Sequence, residues 1–295
     1  MTDRDAVVVG GGPAGTTAGV FLARYGLDTV LFDRGAGALP RAAFLENYPG
    51  FPAGIDPETL QALLRDHLDE VGCDRIEETV ERIDRVDGRF RVETTDRTTT
   101  ADYVVAAAWY DGSYLRPTTG EAAFHEHVHH GEREERFDPD YPDADGRTPV
   151  EGLYAAAPSG DRNDQAIVAA GHGAHVARCL VEDHRRAEGF PEGVAAHYDW
   201  LRPDSEFTGE WADRDRWREW FANEAGDHDL SDERFAELRE RYIDRAFGTA
   251  RSDDDVERLR RRGHRRVAEH LDDAAILEAV DDAAIRAYLD EPTDR

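Results

Sequence analysis

Three glycines, Gly10, Gly12 and Gly15, stand at the spacing Gly-x-Gly-x-x-Gly, with Pro13 and Ala14 between the last two. An apolar run, Ala6 to Val9, precedes them and an amphipathic run to Tyr25 follows. This spacing fits the dinucleotide fingerprint, in which a buried strand turns sharply into a helix. Gly10 allows the tight turn, and Gly12 lets backbone approach a pyrophosphate seated on the helix N-terminus. Gly15 allows close packing of helix on strand. Asp33 lies 18 residues beyond Gly15 at the end of the apolar stretch Thr29 to Phe32, with Arg34 beside it. A carboxylate there accepts hydrogen bonds from a ribose diol and disfavours a 2′-phosphate, so FAD or NAD fits better than NADP.

The flanking segments read as the elements that hold this turn. Pro57 to Val71 carries Leu60, Leu63, Leu64, Leu68 and Val71 at helical spacing. Val80–Val86 and Phe90–Thr94 read as strands joined by a hairpin turn at Asp87-Gly88. Tyr103 to Ala107 reads as a buried strand, and residues 110–150 as irregular chain. A short strand follows Gly152, and Gln165-Ala166 opens a long helix. From about residue 195 the texture becomes helical, with candidate helices over 210–224, 232–247, 253–271 and 273–290. Ser231 and Ser252 stand at N-cap positions.

The 295 residues carry 64 acidic against 36 basic side chains, a formal net charge of −28, and every base is arginine. This balance predicts adaptation to a high-salt cytoplasm rather than a choice of partner. It argues against nucleic-acid binding, which needs a basic face. There is no run of 18 apolar residues and no charged-then-apolar leader, so the expectation is a cytoplasmic protein without a membrane segment, its first strand starting near residue 5. Cys73 and Cys179 form no Cys-x-x-Cys pair, and the expectation is two buried thiols without a redox disulfide.

Other groupings admit two readings each. His125, His127, His129 and His130 could ligate a transition metal, but no further cluster completes a set, so a polar loop is the plainer reading and no metal ligand is assigned. His129 could instead serve as an acid or base near a bound cofactor. His172 and His175 lie in the long helix; His172 could donate a proton, or both could serve packing. The arginines from Arg258 to Arg266 spread around a helix and read as ion-pair partners of nearby carboxylates. Trp200, Trp211, Trp217 and Trp220, with Phe207 and Phe221, could cap an exposed cofactor face or dock the helical region onto its neighbour, and that region could provide a homodimer interface.

The order of these pieces resembles the FAD domain of low-molecular-weight thioredoxin reductases, within the pyridine nucleotide-disulfide oxidoreductases of class II. The resemblance runs over residues 5–185 and rests on Gly10–Gly15, Asp33, Glu46-Asn-Tyr-Pro-Gly-Phe-Pro52, the hairpin strands, Gly152-Leu-Tyr154 and Gln165–Gly173. It implies an FAD/NAD(P)-binding three-layer α/β Rossmann-like domain with a small antiparallel meander. It also implies that Asn47 lines the isoalloxazine side, and that the helix start at Gln165-Ala166 stabilises negative charge on reduced flavin. The family inserts a second, NADPH-binding domain with a Cys-x-x-Cys; here residues 110–150 take that place, with neither feature. Where the family has Ala-Thr-Gly and Gly-Asp, this chain has Ala106-Ala-Ala-Trp109 and Ala157-Pro158, and Asp161 could substitute for the lost acid.

The resulting expectation is an FAD-binding domain over 1–190 and a helical extension over 191–295. Electrons would pass through flavin from NAD(P)H, a small molecule or a protein redox partner. The alternative is a catalytically inactive nucleotide-binding protein that works through its extension. A metal-assisted enzyme using His125–His130 ranks below both.

Overall fold

The computed structural model describes residues 2–35, 37–108, 112–129, 132–157 and 165–290. Strand β1 (Thr2–Val9) starts three residues before the expected position. Its residues alternate between two cores: Ala6 and Val8 face one, Val7 and Val9 the other. A strand covered on both faces reads as an unbroken apolar run, which is what residues 6–9 show. Helix α1 (Pro13–Tyr25) follows, capped at its C-terminus by Gly26 at φ 108°. Strand β2 (Thr29–Phe32) pairs parallel to β1.

Helix α2 (Pro57–Val71) has the bounds its leucine spacing predicts. Asp56 accepts from Thr59 N at its start, and Gly72 at φ 74° ends it. Strand β3 (Asp74–Ile76) extends the parallel sheet beyond β2. Strands β4 (Val80–Val86) and β5 (Arg89–Thr94) form the expected hairpin, with Asp87 at φ 53° and Gly88 at φ 85°. Both central residues with positive φ define the turn that matches strand twist.

Strand β6 (Thr98–Ala106) belongs to two arrangements. On one side its whole length runs parallel to β1. On the other, its first half pairs antiparallel with β5, and Val104–Ala106 pair parallel with β9 (Leu153–Ala155). The sheet order is β3-β2-β1-β6-β5-β4, with β9 beside β6.

Residues 110–150 are not irregular as expected. Helix α3 (Arg116–Thr119) leads to a hairpin of β7 (Phe124–His129) and β8 (Glu132–Phe137), registered Phe124 to Phe137. The two phenylalanines, ring centroids 6.0 Å apart, anchor it to the core that holds Tyr114 and Leu115. Histidines, glutamates and arginines fill most other positions, and they hide the strand pattern.

Helix α4 (Ala166–Ala187) packs across α1. A Cβ on Gly173 would lie 2.0 Å from the Ala14 carbonyl oxygen, so only glycine allows this crossing. Leu68, Leu22, Val176 and Leu180 complete the core on this face of the sheet.

Beyond α4, α5 (Glu192–Ala195), β10 (Arg202–Pro203), α6 (Arg214–Ala225) and α7 (Asp232–Phe247) build a further core around Phe190, Val194, Phe221 and Leu238. Helix α6 starts later than the sequence suggests because Asp213 caps it. Several of these aromatic residues pack on one another: Trp217 stacks on Phe207, meets Trp211 and Trp220 edge-on and lies tilted against Phe247. The extension reaches α1 through Asp199 on Arg24 at 2.5 Å, Arg245 donating to the Tyr25 carbonyl at 2.7 Å, and His197 edge-on to Tyr25.

Strand β11 (Ala250–Arg251) pairs with β10, and α8 (Asp253–Ala268) begins with a capping box of Ser252 and Asp255. The expected single helix over 273–290 is two, α9 (Asp273–Ala279) and α10 (Asp282–Asp290). Asp281 accepts from Ala283 N and so caps a new helix inside the pattern. The arginines of α8 are ion-paired: Arg258 with Asp255, Arg260 and Arg261 with Glu257, Arg262 with Glu70 and Arg266 with Asp66. No helix among the described residues is long and apolar enough to cross a membrane.

Two outcomes follow for stability. Gly173→Ala should lower unfolding free energy by about 3 kcal/mol, since backbone blocks the new methyl; denaturant titration measures this, and a loss under 0.5 kcal/mol would contradict the close crossing. Burial, with Arg245 and Arg185 nearby, pushes His197 from 6.5 down to about 4. The unfolded chain therefore takes up a proton that the folded chain refuses. This stability is fully present above about pH 6.5 and is lost as pH falls toward 4. Wild type should lose about 2 kcal/mol more than His197→Gln between pH 7 and 5, read from paired urea titrations.

Candidate functional site

Where β1 turns into α1, the backbone lines a cleft of about 840 Å³. Gly10, at φ 121°, sits so close to the neighbouring strand end that a Cβ would lie 2.4 Å from the Ala107 carbonyl oxygen. Gly15 is equally confined, 1.9 Å from the Gly10 carbonyl by the same construction. Gly12 differs: nothing lies within 4 Å of its Cβ position. It is the N-cap of α1 and offers no side chain to the first-turn amides. Those amides and the positive end of the helix dipole form a ready cradle for an anion. Pro13 at the first turn removes one donor and fixes the entry angle. Pro13, Ala14, Asp33 and Arg34 all line the cleft.

Asp33 is 5% exposed. Its Oδ1 accepts from Gly35 N at 2.9 Å and its Oδ2 from Arg75 at 2.9 and 3.1 Å. Arg65 adds a longer ion pair at 3.6 Å. A Cβ on Gly11 would lie 2.2 Å from the Asp33 carboxyl carbon, so the turn and the acid fit closely together. Arg75 comes from β3, brought alongside β2 by the parallel pairing of Leu31 with Arg75. The carboxylate is thus fixed at the cleft wall with accepting capacity left on Oδ1.

At the other end, Asn47 donates through Nδ2 to Gln165 Oε1 at 2.6 Å. The two residues are 118 apart in sequence, and both are solvent-exposed. Gln165 is the N-cap of α4 and makes no side-chain cap bond, while Ala166 packs with Tyr48 and Phe51 against Leu39, Ile55 and Leu60. The segment with Asn47 is therefore tied to the start of α4 through both a polar and an apolar contact. Ala157 and Ala169 join these features to the cleft wall. Trp109, Pro158 and Asp161 lie outside the described residues, as does His130.

His172 is 5% exposed and stacks with His175 at 6.5 Å between centroids, one turn beyond the cleft-lining Ala169. The backbone of His129 ends β7, and its side chain lies outside the described residues. Asp145, His175 and Cys179 bring three donor atoms within 4.8 Å of one another. His175 Nε2 faces both the Asp145 carboxylate at 2.8 Å and the Cys179 sulfur at 3.7 Å. Burial pushes the Cys179 thiol up to about 11, and Arg147, Arg178 and Arg186 line the same hollow. Asp145 and Glu182 line it too, and Arg147 and Arg186 are ion-paired with Asp183. Cys73 is buried against Gly19 and its thiol is pushed up to about 12, also by burial, so both cysteines are poor nucleophiles.

Residues 4–108 match the family model described as pyridine nucleotide-disulphide oxidoreductase. The thioredoxin reductase of Schizosaccharomyces pombe is 33% identical over 135 residues, 42% of each chain. That of Pneumocystis jirovecii is 37% identical over 120 residues, 37% of this chain and 36% of the relative. Over this N-terminal part the chain is similar to thioredoxin reductases. It spans about two fifths of the length of the curated relatives it matches. A solved thioredoxin reductase structure from Gloeobacter violaceus superposes with a TM-score of 0.51 at 20% identity, covering 68% of this chain and 98% of that one. The common fold is the Rossmann-like α/β unit with its parallel-dominated sheet.

The cleft also contains residues that the sequence alone did not reveal. Arg41 lines it, as do Glu78 and Thr79 just ahead of β4 and Val80 at its start. Arg41 follows Pro40 in a short 3₁₀ turn, and only the folding of that turn over the glycines reveals it. Arg75 is the other omission; its spacing from Asp33 carries no signal until β2 and β3 are paired.

Arg75→Met should destabilise by about 2 kcal/mol, because Asp33 is left buried without its principal partner. Adding Asp33→Asn should recover part of that loss in a double-mutant cycle by chemical denaturation; strict additivity would contradict the coupling.

Proposed function

We propose that this chain is an FAD-dependent oxidoreductase of the thioredoxin reductase-like type, passing electrons through flavin without a redox disulfide of its own. The observation that carries this reading is the Asn47–Gln165 hydrogen bond, which joins the two segments expected beside the isoalloxazine. The open space before Gly12 supports it, being a cradle that any side chain would fill.

In this reading the first-turn amides of α1 bind the pyrophosphate, with Gly10, Gly12, Pro13, Ala14 and Gly15 supplying the approach. Asp33 accepts from the adenosine ribose through Oδ1 while Arg75 holds the carboxylate in place, and Arg34 and Arg41 border the same half. FAD supplies the hydride and electron chemistry when bound. The N-terminus of α4 at Gln165-Ala166 adds a positive dipole end where negative charge develops. Asn47 orients Gln165, and the Leu39–Ile55–Leu60 cluster keeps that end rigid and dry. The raised thiols of Cys73 and Cys179 suit neither for disulfide exchange.

The electron donor in this proposal is NAD(P)H or a protein redox partner that reaches the flavin directly. The unit over 1–190 carries the cofactor, and the extension over 191–295 is a separate packing unit with its own core and a candidate homodimer face. The arginine-only, strongly acidic composition suits a salt-rich cytoplasm. A second reading, a non-catalytic nucleotide-binding protein, is favoured by Ala157 at the cleft wall in place of the glycine of the family's Gly-Asp.

The deciding measurement is the visible spectrum of protein purified in molar salt, then anaerobic addition of NADH and NADPH. Oxidised-flavin bands that bleach with a pyridine nucleotide are expected. Gly12→Val should abolish flavin uptake while changing stability by no more than about 1 kcal/mol, because its Cβ meets open space. A colourless protein that takes up no added FAD would remove this reading.

A further inference from the structure

Carboxylates neutralise most arginines of this chain, as its excess of acids allows. Like Arg41, Arg85 and Arg251, the residues Arg178, Arg185, Arg202 and Arg245 differ: among the described residues, no carboxylate oxygen lies within 4.0 Å of any of them. All four surround one region of the extension. Arg185, Arg202 and Arg245, with His197, Trp200 and Tyr242, line a pocket of about 440 Å³.

Arg185 is 2% exposed. It donates to the carbonyls of Ala195 at 2.7 Å and Val194 at 2.9 Å, and its guanidinium lies 3.9 Å from the Phe190 ring centroid. Carbonyls and an aromatic face satisfy its geometry but not its charge. A buried cation without an acid is costly unless something else answers it. Arg245 spends one donor on the Tyr25 carbonyl and lies 4.2 Å over the Tyr25 ring. The Arg202 side chain makes no polar contact among the described residues. Asp199, which lies close enough to act on Arg245, is held by Arg24 at 2.5 Å. His197, in the pocket wall, is kept neutral first by burial and then by the same Arg245 and Arg185. A pocket that stays positive inside a chain of net charge −28 is built for an anion.

The rim narrows the ligand class. Trp200 is 70% exposed and Tyr198 62% exposed, two planar rings presented beside unneutralised guanidinium forks. Such forks match phosphate oxygens in pairs, and exposed rings stack on planar bases. The pocket lies by Tyr25, at the far end of α1 from Gly12; 13 helical residues separate the two by roughly 20 Å.

We propose that this pocket binds a phosphorylated aromatic small molecule of the mononucleotide class, with Arg202 and Arg245 on the phosphate and Trp200 against the ring. This site is independent of the flavin reading.

Isothermal titration of the full chain, in molar KCl without phosphate buffer and with excess FAD present, tests it. The probes are AMP, adenosine, inorganic phosphate and a single-stranded RNA. AMP should bind at least tenfold more tightly than adenosine and more tightly than phosphate. Arg202→Gln should weaken AMP at least tenfold without changing flavin content, and Arg202→Lys should restore most of the affinity, which separates lost charge from lost folding. Arg41→Gln, in the dinucleotide cleft, should leave AMP binding unchanged. Absence of AMP binding, or equal affinity of wild type and Arg202→Gln, overturns the proposal. Loss of AMP binding in Arg41→Gln instead assigns AMP to the other cleft and also overturns it, as does RNA binding tighter than AMP. Failure to take up FAD would remove the flavoenzyme reading and leave the Arg202 comparison intact.

Discussion

The contact on which this molecule depends is backbone against backbone, where α1 leaves β1. Gly15 lies against the Gly10 carbonyl, Gly10 against Ala107, and Gly173 of α4 against Ala14. Three segments distant in sequence converge on one turn with no side chain between them. Close approach at this point fixes the direction of α1, and with it the position of the first-turn amides. The same convergence places the ends of β1 and β6 side by side and carries the start of α4 to the cleft.

Local signals were legible and tertiary ones were not. The glycine spacing, the bounds of α2, the Asp87-Gly88 turn and the Ser231 and Ser252 caps all follow from short-range chemistry, and the structure contains each of them. The hairpin over 124–137 escaped because Phe124, Val128 and Phe137 are its only apolar residues, too few to set a period. The division of α9 from α10 turns on one aspartate in an otherwise helical pattern. At the candidate site, the glycines, Asp33 and the Asn47 segment were visible, whereas Arg75 and Arg41 were not. Their roles exist only after strands pair and a loop folds over the turn.

Charge is distributed here with more discrimination than its total suggests. In the extension, Glu240 takes Arg214, Arg218 and Arg239 together and is held at about 2, first by its bond to Arg218. On α4, Asp183 joins Arg147, Arg186 and Tyr154. Each such network links elements at moderate cost in side-chain freedom, because several partners share one ordered group. Against that background, positions where arginine goes unanswered carry more information than the overall excess of acid.

Helices α8 to α10 contain no fully buried side chain. What ties α8 to the rest is the short pairing of β10 with β11 and the reach of Arg262 and Arg266 to Glu70 and Asp66 on α2. Hydrophobic burial strengthens as salting-out ions are added, while exposed ion pairs weaken. The two ends of the chain therefore answer ionic strength in opposite senses. On these grounds the C-terminal helices should open before the rest of the chain as salt rises, while the Rossmann-like unit tightens.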